Sequence, residues 1–425
     1  MNPSTRTVRR LRAPRFSLPF VSLSSHCFPQ PSKLLPRQPT PVQCFWNAST
    51  VPYSTSMPSE RWTDTPRVFQ TTGLNLIDSS AEIEEETLPT YSPEKYYPVT
   101  QGEVFHDRYQ VLAKLGYGVT STVWFARDLR DSKYVAPKIY VTGQQRTDEL
   151  GIYSHLNSIK THHPGRPLSA SFTTISGLRQ LLGKSVDDAL KWIPGRAVPL
   201  EAMKPVIRQL LAALDFLHST ANVIHADLQP KNLLHPTPDP KALSEFEASE
   251  LKSPSARKSR FPRGDGLPIL SDFGNTENKG DIMPLTWDYS VDIWNVAMVV
   301  CGFFTLEHSK RLPDECNPGT GIFDDRVHIA EMVALLGPPP REFLERTKLS
   351  SVFWDADGKW KDLAPIPDFT LEIMSRTAKI QEDIEGFLRL MRAAMQWNPL
   401  DRPSAIELYD EWLMEGLGFE KKGDN

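Results

Sequence analysis

Cysteine is scarce in this chain of 425 residues: four in all, at Cys27, Cys44, Cys301 and Cys316. Their spacing fits neither a zinc site nor a disulfide framework. That excludes the small cross-linked secreted class and sets a reducing intracellular compartment, cytoplasm or nucleus, as the expected setting. Long hydrophobic runs are also missing. The best, Val291 to Leu306, is broken by Asp292 and Asn295 and is too short to span a bilayer, so it reads as a buried helix with no membrane span. No sign of charge dominates: the formal net charge is -4, and no direct nucleic-acid partner is expected. One absence is local. Met1 to Ser59 holds no Asp or Glu, while Arg6, Arg9, Arg10, Arg12 and Arg15 crowd its start. Residues 1–59 therefore read as a basic disordered arm or, alternatively, as a mitochondrial transit segment. Pro3, Pro14 and Pro19 limit any helix there.

What is present begins with an acidic stretch. Residues 60–104 read as a linker carrying Glu82, Glu84, Glu85 and Glu86, and Tyr96-Tyr97-Pro98 suggests an extended segment that docks on something. Alternation starts at Tyr109, passes a glycine-rich turn, and resumes at Val123, Trp124 and Phe125, which predicts strand, turn, strand. Tyr134 to Tyr140 reads as a third strand and Thr147 to Leu156 has helical spacing. From Pro199 to Ser219, Leu200, Met203, Ile207, Leu210, Leu211 and Leu214 recur at helical intervals. Val223-Ile224, Leu233-Leu234 and Ile269-Leu270 are short apolar stretches. Between them, residues 235–266 are rich in Pro, Ser, Lys and Arg and read as a flexible insertion, basic at Lys252, Arg257, Lys258, Arg260 and Arg263. After Asp288 the pattern is mostly helical. Strands first and helices later predict an α+β chain of two lobes: a small β-rich lobe over 105–190 and a larger helical lobe over 191–420.

Several residues carry chemistry. Gly116-Tyr117-Gly118, followed by Ser121 and Val123, is a strand-to-strand turn whose backbone can close over phosphates; a plain hairpin would explain it by itself. In Val135-Ala136-Pro137-Lys138, the lysine leaves a strand and can reach phosphates if a carboxylate holds it, and Glu149 is the candidate. Pro137 is odd in a paired strand because it gives up a donor. His225-Ala226-Asp227-Leu228-Gln229-Pro230-Lys231-Asn232 supplies Asp227 to accept a hydroxyl proton and Asn232 to hold magnesium. Asp272 of Asp272-Phe273-Gly274 supplies a second magnesium ligand. Each motif alone is weak; their order along the chain is not.

From Tyr109 to Arg402 the chain resembles the protein-kinase superfamily, and within it the SR-protein kinases in a divergent fungal form. The resemblance rests on Leu115-Gly116-Tyr117-Gly118, Ser121-Thr122-Val123-Trp124, His162-His163-Pro164-Gly165-Arg166, Asp215-Phe216-Leu217-His218, Asp272-Phe273-Gly274-Asn275, Asp292-Ile293-Trp294 and Arg402. It implies a bilobal kinase fold, ATP and Mg2+ between the lobes, and a monomer that phosphorylates protein serine or threonine, with arginine-serine repeats as substrate. It also implies that Gly116, Gly118, Ser121, Val123 and Ala136 surround the nucleotide, that Asp292 supports the catalytic loop, and that Arg402 pins the activation segment.

Departures are specific. Gln229 stands where the family has lysine, and Ala226 replaces an arginine that reads activation-loop phosphorylation. Asp272 and Asp292 are 20 positions apart (292 minus 272), too few for a full activation segment, so Arg402 lacks its expected acidic partner. Between Ser171 and Lys191 no hinge residue can be assigned. These losses keep a pseudokinase, scaffold or truncated isoform open as the alternative.

Overall fold

The computed structural model describes residues 62–70, 72, 77–78, 80–142, 149–170, 172–173, 178–179, 181–193, 198–256, 261–273, 277–278, 288–303, 324–346, 350–377, 383–409 and 413. The arm 1–59 lies outside them.

The small lobe is built on a five-stranded antiparallel sheet: β1 (Val104–Phe105), β2 (Tyr109–Tyr117), β3 (Ser121–Asp128), β4 (Lys133–Val135) and β5 (Lys138–Tyr140). β2 and β3 form the predicted hairpin, running from Tyr109 opposite Asp128 to Tyr117 opposite Thr122. The single strand expected over Tyr134 to Tyr140 is split in two at Ala136-Pro137. Pro137 has no N–H for the ladder, though its carbonyl still accepts from the Trp124 N–H at 3.0 Å. Helix α1 (Glu149–Ser158) follows.

The segment expected as a linker lies against this sheet. The Arg67 N–H donates to Gln110 Oε1 at 2.6 Å, and the Gln110 amide donates back to the Arg67 carbonyl at 2.8 Å. Lys114 on β2 pairs with Glu84 at 2.9 Å and with Glu85.

Two short strands, β6 (Phe172–Thr173) and β7 (Leu178–Arg179), pair antiparallel. The expected boundary at 190/191 moves back to Leu181-Leu182. Leu181 packs with Leu112 and Phe125 of the sheet, whereas Leu182 joins the helical core, so the chain changes lobes between them. Helix α2 (Val186–Leu190), capped by the Ser185 hydroxyl, already belongs to the large lobe through Val186 and Leu190.

In the large lobe, α3 (Leu200–Asp215) buries Met203, Ile207, Leu210, Leu211 and Leu214, the predicted stripe. A π-helical turn, Phe216–Ala221, extends it to Asn222 in the left-handed region. Two small ladders follow: β9 (Leu233–Leu234) with β10 (Ile269–Leu270), and β8 (Val223–Ile224) with β11 (Glu277–Asn278).

The insertion between β9 and β10, expected as a flexible stretch, contains a helix. Its described part holds α4 (Pro240–Lys252), with Pro240 at the first position and the Asp239 carboxylate accepting from the Lys241 N–H at 2.7 Å. Leu243, Phe246 and Phe261 pack on the small-lobe sheet, with the Phe246 and Phe261 rings each 5.4 Å from Phe125. Buried Glu247 accepts from Arg67 Nε at 2.8 Å, Arg127 Nη1 at 3.1 Å and the Tyr134 hydroxyl at 2.5 Å. Burial of that aromatic face outweighs the polar composition that suggested a loop.

Helices α5 (Ser290–Gly302), α6 (Asp325–Leu336), α7 (Arg341–Glu345), α8 (Ser350–Phe353), α9 (Leu371–Thr377) and α10 (Ile384–Ala394) complete the large lobe. The apolar run starting at Val291 is α5, buried nearly all round. Among the described residues no helix is long and apolar enough to cross a membrane.

Candidate active site

The sheet positions the first pair. β5 starts immediately after the Pro137 break, and Lys138 is its first residue. Its Nζ donates to Glu149 Oε2 at 2.8 Å and to Asp272 Oδ1 at 3.2 Å, so the lysine bridges α1 to the other lobe. The Tyr140 hydroxyl adds a 2.6 Å bond to the same Glu149 oxygen. The Lys138 and Glu149 side chains are 8% and 2% exposed, so the ion pair is shielded from water and its parting is costly.

The glycine turn closes by the Gly118 N–H donating to the Ser121 carbonyl at 2.9 Å. A side chain on Gly116 would meet nothing within 4 Å, which leaves the space above it open. Val123 lies opposite Lys138 in the β3–β5 register, and Ala136 is buried in the sheet's core cluster beneath. Thus Gly116, Gly118, Ser121, Val123, Ala136 and Lys138 belong to one hairpin-and-strand unit.

The second group sits on the loop between β8 and β9. Asp227 is held from both sides: Asn232 Nδ2 donates to its Oδ2 at 3.1 Å and to its carbonyl at 2.8 Å, and Gln229 Nε2 donates to its Oδ1. Because Asn232 spends its amide hydrogens on Asp227, its oxygen is the atom offered to a cation. The β9–β10 ladder then sets the last piece. Leu233 faces Leu270, and Ser271 donates through both N–H and hydroxyl to the Asn232 carbonyl, at 2.9 and 2.8 Å. Asp272 therefore follows directly beside Asn232. An amide oxygen and a carboxylate form a hard, oxygen-only donor set that fits Mg2+, which takes one or two protein oxygens and completes its shell with phosphate and water.

Two residues of the site have strained backbone. Ala226 has φ +62° and Asp272 φ +66°, both outside the usual region for residues with a Cβ. Asp292 of α5, fully buried, holds the first: its carboxylate accepts from the Ala226 N–H, the His225 N–H and His218 Nε2, each at 2.8 Å. Burial pushes the Asp292 carboxyl up. The His218 bond, the charges of His218 and His225, and the His225 N–H outweigh that and leave it below the ordinary range. His225 in turn donates from Nε2 to the Ser271 carbonyl at 3.0 Å. Phe273, next to the second strained residue, anchors the chain there. It is fully buried, with its ring 5.1 Å from Tyr153 of α1 and 5.0 Å from His225.

Arg402 has other partners than the acid it was expected to lack. Its guanidinium donates to the Ser290 carbonyl at 3.0 Å and to the Gln396 carbonyl at 2.9 and 3.1 Å, and lies 4.8 Å over the Trp294 ring. Burial lowers its pKa to about 10, against the pull of Asp288. Gly274 and residues 279–287, where the shortened activation segment falls, lie outside the described residues, as do residues 174–177 of the hinge region. Sequence reasoning missed the lobe crossing at Leu181-Leu182. Gly183, beside it, marks the place: a Cβ there would lie 2.9 Å from the Pro236 carbonyl and from the Gly264 nitrogen.

No family model matches the chain. A serine/threonine protein kinase of Aspergillus fumigatus is 35% identical over 385 residues, covering 82% of this chain and 95% of that protein. The serine/threonine-protein kinase SRPK of Physarum polycephalum is 28% identical over 397 residues, 78% of this chain and 90% of that protein. Mouse SRSF protein kinase 3 is 32% identical over 193 residues, 40% of this chain and 32% of that protein. Among solved structures, a crystal structure of a kinase domain aligns with a TM-score of 0.55 at 18% identity, over 75% of this chain and 99% of that one, a likeness of fold.

Proposed function

We propose that this chain, which belongs to the serine/threonine protein kinase family and is SRPK-like within it, takes arginine-serine segments of proteins as its substrates, using Mg-ATP bound between its lobes. The observation that carries the reading of the site is the single reach of Lys138 to Glu149 and Asp272, because it ties α1, the sheet and the magnesium side into one working arrangement.

The residues then divide the work. Lys138, steadied by Glu149, holds the non-transferred phosphates. Asn232 and Asp272 hold Mg2+, which neutralises phosphate charge when bound. Asp227 accepts the hydrogen bond of the substrate serine and aims its oxygen at the terminal phosphorus. The new O–P bond forms as the bond to the ADP oxygen breaks, and the hydroxyl proton leaves toward Asp227. Gln229 steadies Asp227 without bringing charge. Positioning and electrostatics supply the rate, with no covalent enzyme intermediate. The arginine-serine preference rests on the name of the mouse relative and on the motifs shared with that group. The reading of the compartment, intracellular in cytoplasm or nucleus, rests on the scarcity of cysteine and on buried, unbridged Cys301; the acid-free arm keeps a mitochondrial destination as its alternative.

The test is phosphate transfer from ATP to an arginine-serine peptide in the presence of Mg2+, with Asp227→Ala as control. Transfer that disappears in the control supports the reading. A folded, nucleotide-binding chain that transfers nothing would favour the second reading, a kinase-fold scaffold, to which the 20-position run from Asp272 to Asp292 points.

A further inference from the structure

The segment ahead of the sheet reaches the glycine turn itself. The Tyr96 hydroxyl donates to the Gly118 carbonyl at 3.1 Å. One residue earlier, the Lys95 carbonyl accepts from the Thr142 N–H at 2.9 Å, just past the end of β5. The Tyr96 ring is itself braced, 5.1 Å from Tyr91. Nearby on the same hairpin, Lys114 is held by Glu84 and Glu85 of the same segment and lies over the Tyr117 and Trp124 rings. The segment thus grips the phosphate-covering hairpin at its tip and at its stem, and anchors that grip to the strand bearing Lys138.

The grip acts on peptide orientation. Three carbonyls of the turn are committed: Gly118 to Tyr96, Thr120 to the Val141 N–H at 2.9 Å, and Ser121 to the Gly118 N–H at 2.9 Å. In a trans peptide the C=O and the next N–H point in opposite directions. Fixing the Gly118 carbonyl toward Tyr96 therefore turns the Val119 N–H away from the segment, and the bond from Val141 turns the Ser121 N–H away from the β5 side. Gly118 lacks a side chain to limit its own rotation, so an external bond is what selects one orientation. Burial and the charge of Glu85 push the Tyr96 phenol up, which keeps it a donor through the neutral range.

We infer that Tyr96 is a positioning residue for the nucleotide: its hydrogen bond to the Gly118 carbonyl holds the glycine turn in the conformation that retains ATP and ADP. The inference rests on the kinase reading of the site. It separates this chain's nucleotide affinity from its peptide affinity, since the one bond Tyr96 makes to the site is to the glycine turn.

The experiment measures release of a fluorescent ADP analogue, with Mg2+, from the full chain and from Tyr96→Phe, together with the KM for ATP and for an arginine-serine peptide. The phenylalanine keeps the ring against Tyr91 and removes only the hydroxyl. Expected are an off-rate and a KM for ATP raised about threefold to tenfold, the range one net hydrogen bond spans, with the peptide KM and the melting temperature unchanged. Tyr91→Phe, which leaves the Gly118 bond in place, is expected to behave as wild type. Equal off-rates in wild type and Tyr96→Phe would overturn the inference, as would a peptide KM that rises in step with that for ATP. A wild-type chain that binds no nucleotide would overturn both this inference and the kinase reading beneath it. A chain that binds nucleotide but transfers no phosphate fails the kinase reading alone, and the off-rate comparison still decides the role of Tyr96.

Discussion

Changing Asp292 to asparagine removes one oxygen acceptor and the negative charge at nearly constant volume. The carboxylate now serves three donors at 2.8 Å: His225 N–H and His218 Nε2 on one oxygen, Ala226 N–H on the other. The better amide orientation keeps the first two and turns its NH2 against the Ala226 N–H. A hydrogen bond to a charged group contributes about 1.5–3 kcal/mol. An orphaned buried N–H adds to that loss, which puts the total at about 3–5 kcal/mol. Against a domain stability of about 5–15 kcal/mol this is severe, yet it leaves a folded protein to assay at low temperature. The kinetic effect follows from geometry. Ala226, unclamped at φ +62°, relaxes toward ordinary backbone and carries Asp227 with it. A shift of about 1 Å at a reacting group costs about 100-fold in rate. Urea denaturation gives the first quantity, and kcat at saturating ATP and peptide gives the second. The double variant Asp292→Asn with Ala226→Gly is expected to regain part of the lost kcat, since glycine occupies positive φ without strain. If Asp292→Asn loses less than about 1 kcal/mol and keeps kcat within about threefold, the clamp is not what sets Asp227 and the reasoning fails.

Three further outcomes follow from the same geometry. Gln229→Lys places a cation where Gln229 now touches Asp227; about one-third of a 4 kcal/mol charge interaction, realised only in the transition state, predicts about a tenfold rise in kcat, and an unchanged or lower kcat in steady-state assay refutes it. Glu247→Ala strips a buried acceptor from Arg67, Arg127 and Tyr134; a loss of about 3–5 kcal/mol in denaturant titration is expected, and a loss below about 1 kcal/mol would mean that α4 is not held by this charge cluster. His328 is a base whose pKa burial lowers from 6.5 to about 4. The unfolded chain therefore binds more protons in that window, and this contribution to stability is complete above pH 6.5 and declines as the pH falls toward 4. The slope is about 1.4 kcal/mol per pH unit, and His328→Gln should flatten it in urea titrations across that range.

The parts of the site that sequence made legible are those where chemistry fixes residue type and order. Lys138, Glu149, Asp227, Asn232 and Asp272 must each carry a given functional group, and the structure brings them together through two short ladders and one bridging lysine. The hairpin was legible because period-two alternation flanks Gly116 and Gly118. What escaped was set by tertiary burial. In α4, Leu243 and Phe246 supply a narrow apolar face amid Ser, Glu and Lys, and only its packing on the Phe125 surface of the sheet makes that face a helix. Tyr96 was legible as part of a segment that docks, but its target was not, because a hydroxyl bond to a carbonyl 22 positions away leaves no periodic trace. Arg402 was legible as a motif residue; its partners, the Ser290 and Gln396 carbonyls, were not, because any residue type can supply a carbonyl.

The location of α4 has a consequence for how the chain is made. The core under the small-lobe sheet includes Leu243 and Phe261, which leave the ribosome well after Leu112 and Phe125. During synthesis the first lobe waits, with the side of Phe125 that meets Phe246 and Phe261 uncovered, until chain belonging by sequence to the second lobe has emerged. Its folding is therefore coupled to completion of its neighbour, with no N-terminal unit finishing first. A nascent chain stalled before residue 240 therefore presents an apolar sheet face that Leu243 and Phe261 later cover.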